Sequence, residues 1–131
     1  MKVLKFLGTL LVVVVLVIGI AFLLMSKQQN EALAKLNNVP IDMAKVADGT
    51  YTNETEAAMI DVQVAVTVKN HAIASIDLLR HKTLLGKPAE AMLPEMVNKN
   101  TFDVDAVSGA TASSLTIRHA VNAALQQGLA P

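Results

Sequence analysis

The run from Phe6 to Met25 carries no charged side chain, and Thr9 is its only polar one. As a helix, about 20 residues at about 1.5 Å each span about 30 Å, the thickness of a bilayer's hydrocarbon core. The chain is 53% hydrophobic, and the excess over an ordinary soluble protein lies in this block. One transmembrane helix is therefore expected at 6–25, and the rest of the 131 residues is enough for one small domain. Lys2, Lys5 and the amino terminus precede the helix, whereas Lys27 follows it and is soon offset by Glu31. The positive-inside rule then places residues 1–5 in the cytoplasm and the remainder outside the cell membrane. The competing reading is a cleaved signal peptide. Its apolar region is usually shorter, and the nearest small-x-small triplet, Ala32-Leu33-Ala34, lies well past the apolar end. Gly8 and Gly19 lack the spacing of a helix-dimer motif.

Beyond the span, residues 26–40 read as a polar stalk that continues the helix until Asn37-Asn38-Val39-Pro40 breaks it. The domain is expected at 41–131. From Gln28 onward there are 8 Lys and Arg against 11 Asp and Glu, a net −3. This balance argues against nucleic acid as a partner, because phosphate binding needs a basic face. The chain contains no cysteine. Disulfides, cysteine-held iron–sulfur clusters and C-x-x-C-H haem attachment are thereby excluded.

Asp48-Gly49 signals a turn before a candidate strand at 50–56. Val62, Val64, Val66 and Val68 then alternate with polar residues, the period of a strand with one buried face. A turn at Asn70 leads to a third strand, in which Ala72, Ala74, Ile76 and Leu78 are expected on one face and Ser75 and Asp77 on the other. Pro88 to Leu93 suggests a short helix interrupted by Pro94. Ile117, Ala120, Val121, Ala124 and Leu125 form one helical stripe, with Ser113 or Ser114 as its expected cap and Gly128 as its end. The fold class is α+β: a small antiparallel sheet with helices packed on one side, preceded by one N-terminal transmembrane helix.

The segment Asp105-Ala106-Val107-Ser108-Gly109-Ala110-Thr111-Ala112-Ser113-Ser114 fits the pattern D-A-x-S-G-A-T-x-[ST]. It resembles the flavinylation site of the FMN-binding domain family. That family includes covalent-flavin subunits of sodium-pumping NADH:quinone reductases and of Rnf complexes, together with small stand-alone extracytoplasmic domains. The resemblance extends to Ile41–Thr52, the hairpin and Ala120–Leu125, so it covers about residues 41 to 128. It implies that Thr111 receives FMN through a phosphodiester made by a flavin transferase. It also implies that Asp105, Ser108, Gly109, Ala110, Ser113 and Ser114 form the cofactor-binding surroundings. Two positions depart from the family pattern. Asn53 stands where the family usually has Gly, and His81-Lys82-Thr83-Leu84-Leu85-Gly86 replaces its H-x-E-T-P-G-x-G segment.

Physical chemistry supports the same site. Gly109 tolerates positive φ and close backbone approach. The start of the last helix offers unpaired N–H groups and a positive dipole end to a phosphate, and Ser108, Ser113 and Ser114 can add hydrogen bonds. A bare threonine hydroxyl is a poor nucleophile, so activation falls to the transferase. Asp105 is weighed as a recognition or metal-binding group for the transferase against an ordinary turn residue.

Arg80 and His81 are weighed as flavin contacts against solvated strand ends. Met92, Met96, Tyr51 and Phe102 could face a flavin, but core packing is the default for each. His71 and His119 read as surface residues, and none of the three histidines has metal-ligand spacing. No general base, nucleophile or substrate cleft is evident. The expected protein is an electron-transfer module rather than an enzyme, working between a membrane oxidoreductase and an extracytoplasmic acceptor. The alternatives are a non-redox anchored binding module and a structural membrane subunit.

Overall fold

Period-two burial in the central strand organises the domain. In the structure, a computed structural model describing residues 1–129, three strands form an antiparallel sheet in the order β1-β2-β3. They are β1 (Gly49–Ala57), β2 (Ile60–Lys69) and β3 (Ala72–Lys82). Val62, Val64, Val66 and Val68 are all fully buried, as the alternation predicts. Each contributes roughly 1.5–3 kcal/mol relative to an exposed side chain. Their face is covered by α3 (Thr111–Gln126) and, toward β3, by α2 (Met92–Lys99), so the helices lie on one side of the sheet. The stripe Ile117, Ala120, Val121, Ala124 and Leu125 is fully buried against the valines.

An N-terminal helix, α1 (Lys2–Ala34), precedes the domain and is long and apolar enough to cross a membrane. It continues without a break through the first part of the expected stalk. After it, Asn122 of α3 takes hold of the chain. Its amide donates to Val39 O at 2.7 Å and accepts from Val39 N at 3.1 Å. Asn122 is fully buried, so Asn122→Ala strands two backbone groups. A loss of about 1–3 kcal/mol in unfolding free energy is expected. Chemical denaturation of the full chain in detergent measures it, and an unchanged midpoint would show that the clasp contributes nothing.

Both hairpins use left-handed residues at their tips, Ala58 and Met59 in one and Asn70 and His71 in the other. Such pairs match the right-handed twist of the flanking strands. Strand β3 departs from the expected alternation. Its pairing with β2 skips Ala74 and Leu79, giving two bulges. Each skipped residue inverts the phase. Ile73 is therefore buried while Ala72 and Ala74 are exposed. The second bulge leaves Leu79 exposed and sets His81 opposite the fully buried Val62.

Three further expectations are corrected. Pro94 does not interrupt a helix. It lies in the first turn of α2, where its missing N–H has no intrahelical partner to lose. Gly128 directly follows the C-cap of α3, Gln127, as expected, but not in a left-handed turn. The helix stops at Gln126, and a Cβ at Gly128 would come within 2.7 Å of Tyr51 Cζ and Val46 Cγ1. His119 is half-buried, bonded through Nδ1 to Asn38 Oδ1 at 3.1 Å, and burial pushes its imidazole below the ordinary pKa.

Candidate functional site

The loop between α2 and α3 is held by both ends and by its middle. Phe102 and Val104 are buried in the core. The Arg118 guanidinium donates to Val104 O, and Val107 N donates to Ser114 Oγ at 2.9 Å. The loop closes with a turn in which Ala110 N donates to Val107 O at 3.0 Å. Gly109, the third residue of that turn, has φ +81, the value a type II turn demands at this position. No atom lies within 4 Å of where a Gly109 Cβ would stand, so the glycine is required by its backbone angle and not by crowding.

The turn delivers Thr111 as the first helical residue of α3, exposed to solvent. Ala110, not Ser113 or Ser114, occupies the N-cap position, and no side chain caps the helix. The serines are nearly or fully buried one turn inside. The Ser114 hydroxyl holds Val107, and the Ser113 hydroxyl donates to Thr83 Oγ1 at 3.1 Å. Ser113 Oγ also lies 2.9 Å from His81 Nε2. These two hydroxyls brace the turn from behind, whereas Ser108 is exposed. Asp105 is exposed and accepts no hydrogen bond among the described residues.

Thr111 stands in the wall of a cavity of about 620 Å³, within the size range of cofactor sites. Gly109 and Ala110 line it beside Thr111. Met59, Ile60, the segment Lys82–Gly86, and Met25 and Gln29 of α1 line it as well. Met59, Leu84 and Leu85 are 81%, 93% and 79% exposed, an unusual state for three neighbouring large apolar side chains. None of these wall residues is singled out by the sequence motif. Lys82–Gly86 does fall in the stretch that stands for the family's H-x-E-T-P-G-x-G segment, whereas Met25, Gln29 and Met59 carry no local signal.

Behind the wall, His81 is almost wholly enclosed, its side chain 4% exposed. Its Nδ1 lies 3.5 Å from Glu90 Oε2, too far for a good hydrogen bond, and is otherwise unpartnered. Carboxylate, imidazole and hydroxyl thus follow one another in the order found in hydrolases. Ser113 is only 1% exposed, however, and is not presented to a substrate. The arrangement acts as an internal brace. Gly86 packs against it: a Cβ there would lie 1.9 Å from Ser113 Oγ and 2.6 Å from Thr83 Oγ1.

Arg80 is turned away from this region, paired with Glu54 and with Asp61 on the sheet's other face. Met92, Met96 and Phe102 are core residues. Tyr51 is half-buried and donates to Ala47 O at 2.6 Å. The departure at Asn53 is absorbed locally, since its Oδ1 accepts from Thr55 Oγ1 at 2.7 Å. No cluster of metal-ligating side chains occurs among the described residues.

An exposed hydroxyl thus stands at an uncapped helix start beside an apolar cavity. The FMN-binding domain model matches residues 57–126, from the end of β1 to the end of α3 and including Thr111. The chain belongs to the FMN-binding domain family, and FMN is the cofactor this membership supports. A comparison with curated proteins finds no match.

Proposed function

We propose that the protein is a membrane-anchored extracytoplasmic electron carrier with FMN attached through a phosphodiester to Thr111 Oγ1. The observation that carries this reading is the placement of Thr111: exposed, first in α3, and in the wall of the apolar cavity. The uncapped N–H groups of the first turn and its dipole favour a phosphate on that oxygen. Gly109 and Ala110 keep the approach open for the flavin transferase, with Ser108 and Asp105 on the exposed side of the same loop. Ser113 and Ser114 hold the loop in shape from inside. Ile60, Ala110 and Ala112 line the cavity with apolar surface on which a flavin ring can lie. Bound flavin takes up and returns electrons, while the protein tethers it, orients it and limits its contact with water.

In this reading residues 1–5 are cytoplasmic, 6–25 span the membrane, 26–40 form the stalk and 41–131 the FMN-bearing domain. Electrons pass from a membrane oxidoreductase to an extracytoplasmic acceptor, and the domain has no substrate site of its own. Co-expression with a flavin transferase tests the attachment. Purified full-length protein should be yellow, and its band should fluoresce after denaturing electrophoresis. Colourless protein from such cells would favour a non-redox binding module.

A further inference from the structure

The apolar part of α1 ends at Met25, and Met25 lines the same cavity as Thr111. Gln28, Gln29 and Ala32 pack near the Ala58–Met59 turn. The end of the sheet where Ala57 meets Ile60 and Asp61 meets Lys82 therefore lies level with the point at which the apolar helix ends. The opposite end, where Lys69 meets Ala72, points away from it. Three large apolar side chains are exposed at the near end: Met59 at 81%, Leu84 at 93% and Leu85 at 79%. Met59 is moreover held at φ +67, unfavourable for a side chain of its size. Lys82 lines the same cavity and Lys87 stands beside Leu84, both exposed and in no ion pair among the described residues, with Glu56 and Asp61 at the same end of the sheet. Apolar tips flanked by two lysines match a lipid headgroup layer, which takes the tips into its acyl boundary and the ammonium groups at its phosphates.

We infer that this end of the domain rests on an anionic bilayer surface, with Met59, Leu84 and Leu85 inserted and Lys82 and Lys87 paired with lipid phosphates. The cavity beside Thr111 then opens at the membrane plane. This rests on the reading of α1 as a membrane span.

Because the chain has no cysteine, single nitroxide labels can be placed at will. Full-length protein is reconstituted in vesicles of mixed phosphatidylglycerol and phosphatidylcholine, labelled through L84C, K69C or V14C. Collision rates are measured with oxygen, which concentrates in lipid, and with a nickel chelate, which stays in water. At position 84 the oxygen-to-nickel ratio should exceed that at position 69 by at least about twofold, and it should fall in vesicles of phosphatidylcholine alone. A ratio at 84 no higher than at 69, with position 14 clearly in lipid, overturns the docking alone and leaves the rim open to a protein partner. A water-like ratio at position 14 overturns the anchor and the docking together. Equal ratios at 84 in both lipids overturn the pairing assigned to the lysines.

Discussion

Thr111→Val is expected to abolish covalent flavin while leaving the fold intact. Valine matches threonine in shape but has no oxygen to esterify, so no phosphodiester can form whatever the transferase supplies. Thr111 is exposed at the helix start, and its side chain makes no hydrogen bond to the rest of the domain among the described residues. The stability change should stay within about 0.5 kcal/mol. Flavin fluorescence in a denaturing gel and the intact mass should both report an unmodified chain, while thermal unfolding stays close to that of the parent. Thr111→Ser retains a hydroxyl in the same turn and should be modified in part. Ser108→Ala is the contrasting control, since Ser108 is exposed nearby but is not the attachment residue. A yellow, fluorescent Thr111→Val band would move the linkage elsewhere and remove the main support for the proposed function.

Gly86→Ala is expected to have the second large effect, this time on the fold and the site together. The added methyl would meet Ser113 Oγ at 1.9 Å, Ser113 Cβ at 2.6 Å and Thr83 Oγ1 at 2.6 Å. A rotamer change can move the oxygen but not Ser113 Cβ, which is fixed to the first turn of α3. Either that turn or the segment before residue 86 must shift, at a cost of about 3 kcal/mol. Such a shift breaks the hydrogen bonds joining Ser113 to His81 and Thr83 and displaces Thr111 two residues earlier in the helix. Denaturant midpoints should fall, and flavin loading should fall with them. Adding Ser113→Gly removes two of the three clashing atoms, leaving Thr83 Oγ1, and should recover part of the stability. If Gly86→Ala alone unfolds at the parental midpoint, the close packing described here is wrong.

How much could be seen in advance differed by element. Strand β2 and helix α3 were legible because their burial repeats at the period of their own backbone, so residues near in sequence determine the face. The outer half of β3 was not, because its two bulges arise from pairing with β2 and leave no mark in β3 alone. That is why His81 is an enclosed brace and not a solvated strand end. Ser113 and Ser114 suit caps by sequence but do not cap α3, for a related reason. A serine near a helix start suits a cap, but the turn at Gly109 starts the helix at Thr111 and carries both hydroxyls inside. The two-way bond between Asn122 and Val39 joins segments far apart in the chain, and composition gives no hint of it.

The apolar run, the strand and helix periods, the family and the residue proposed to carry the cofactor each depend on residues that are neighbours along the chain, and so are legible in it. What faces Thr111 is set by long-range packing. Met59 comes from a hairpin tip, Leu84 and Leu85 from the segment after β3, and Met25 from the end of α1. Nothing local requires these segments to meet. They meet because the buried valine face of β2 fixes α3 across the sheet, and that packing sets the helix start beside the one end of the sheet where the chain leaves its apolar side chains exposed.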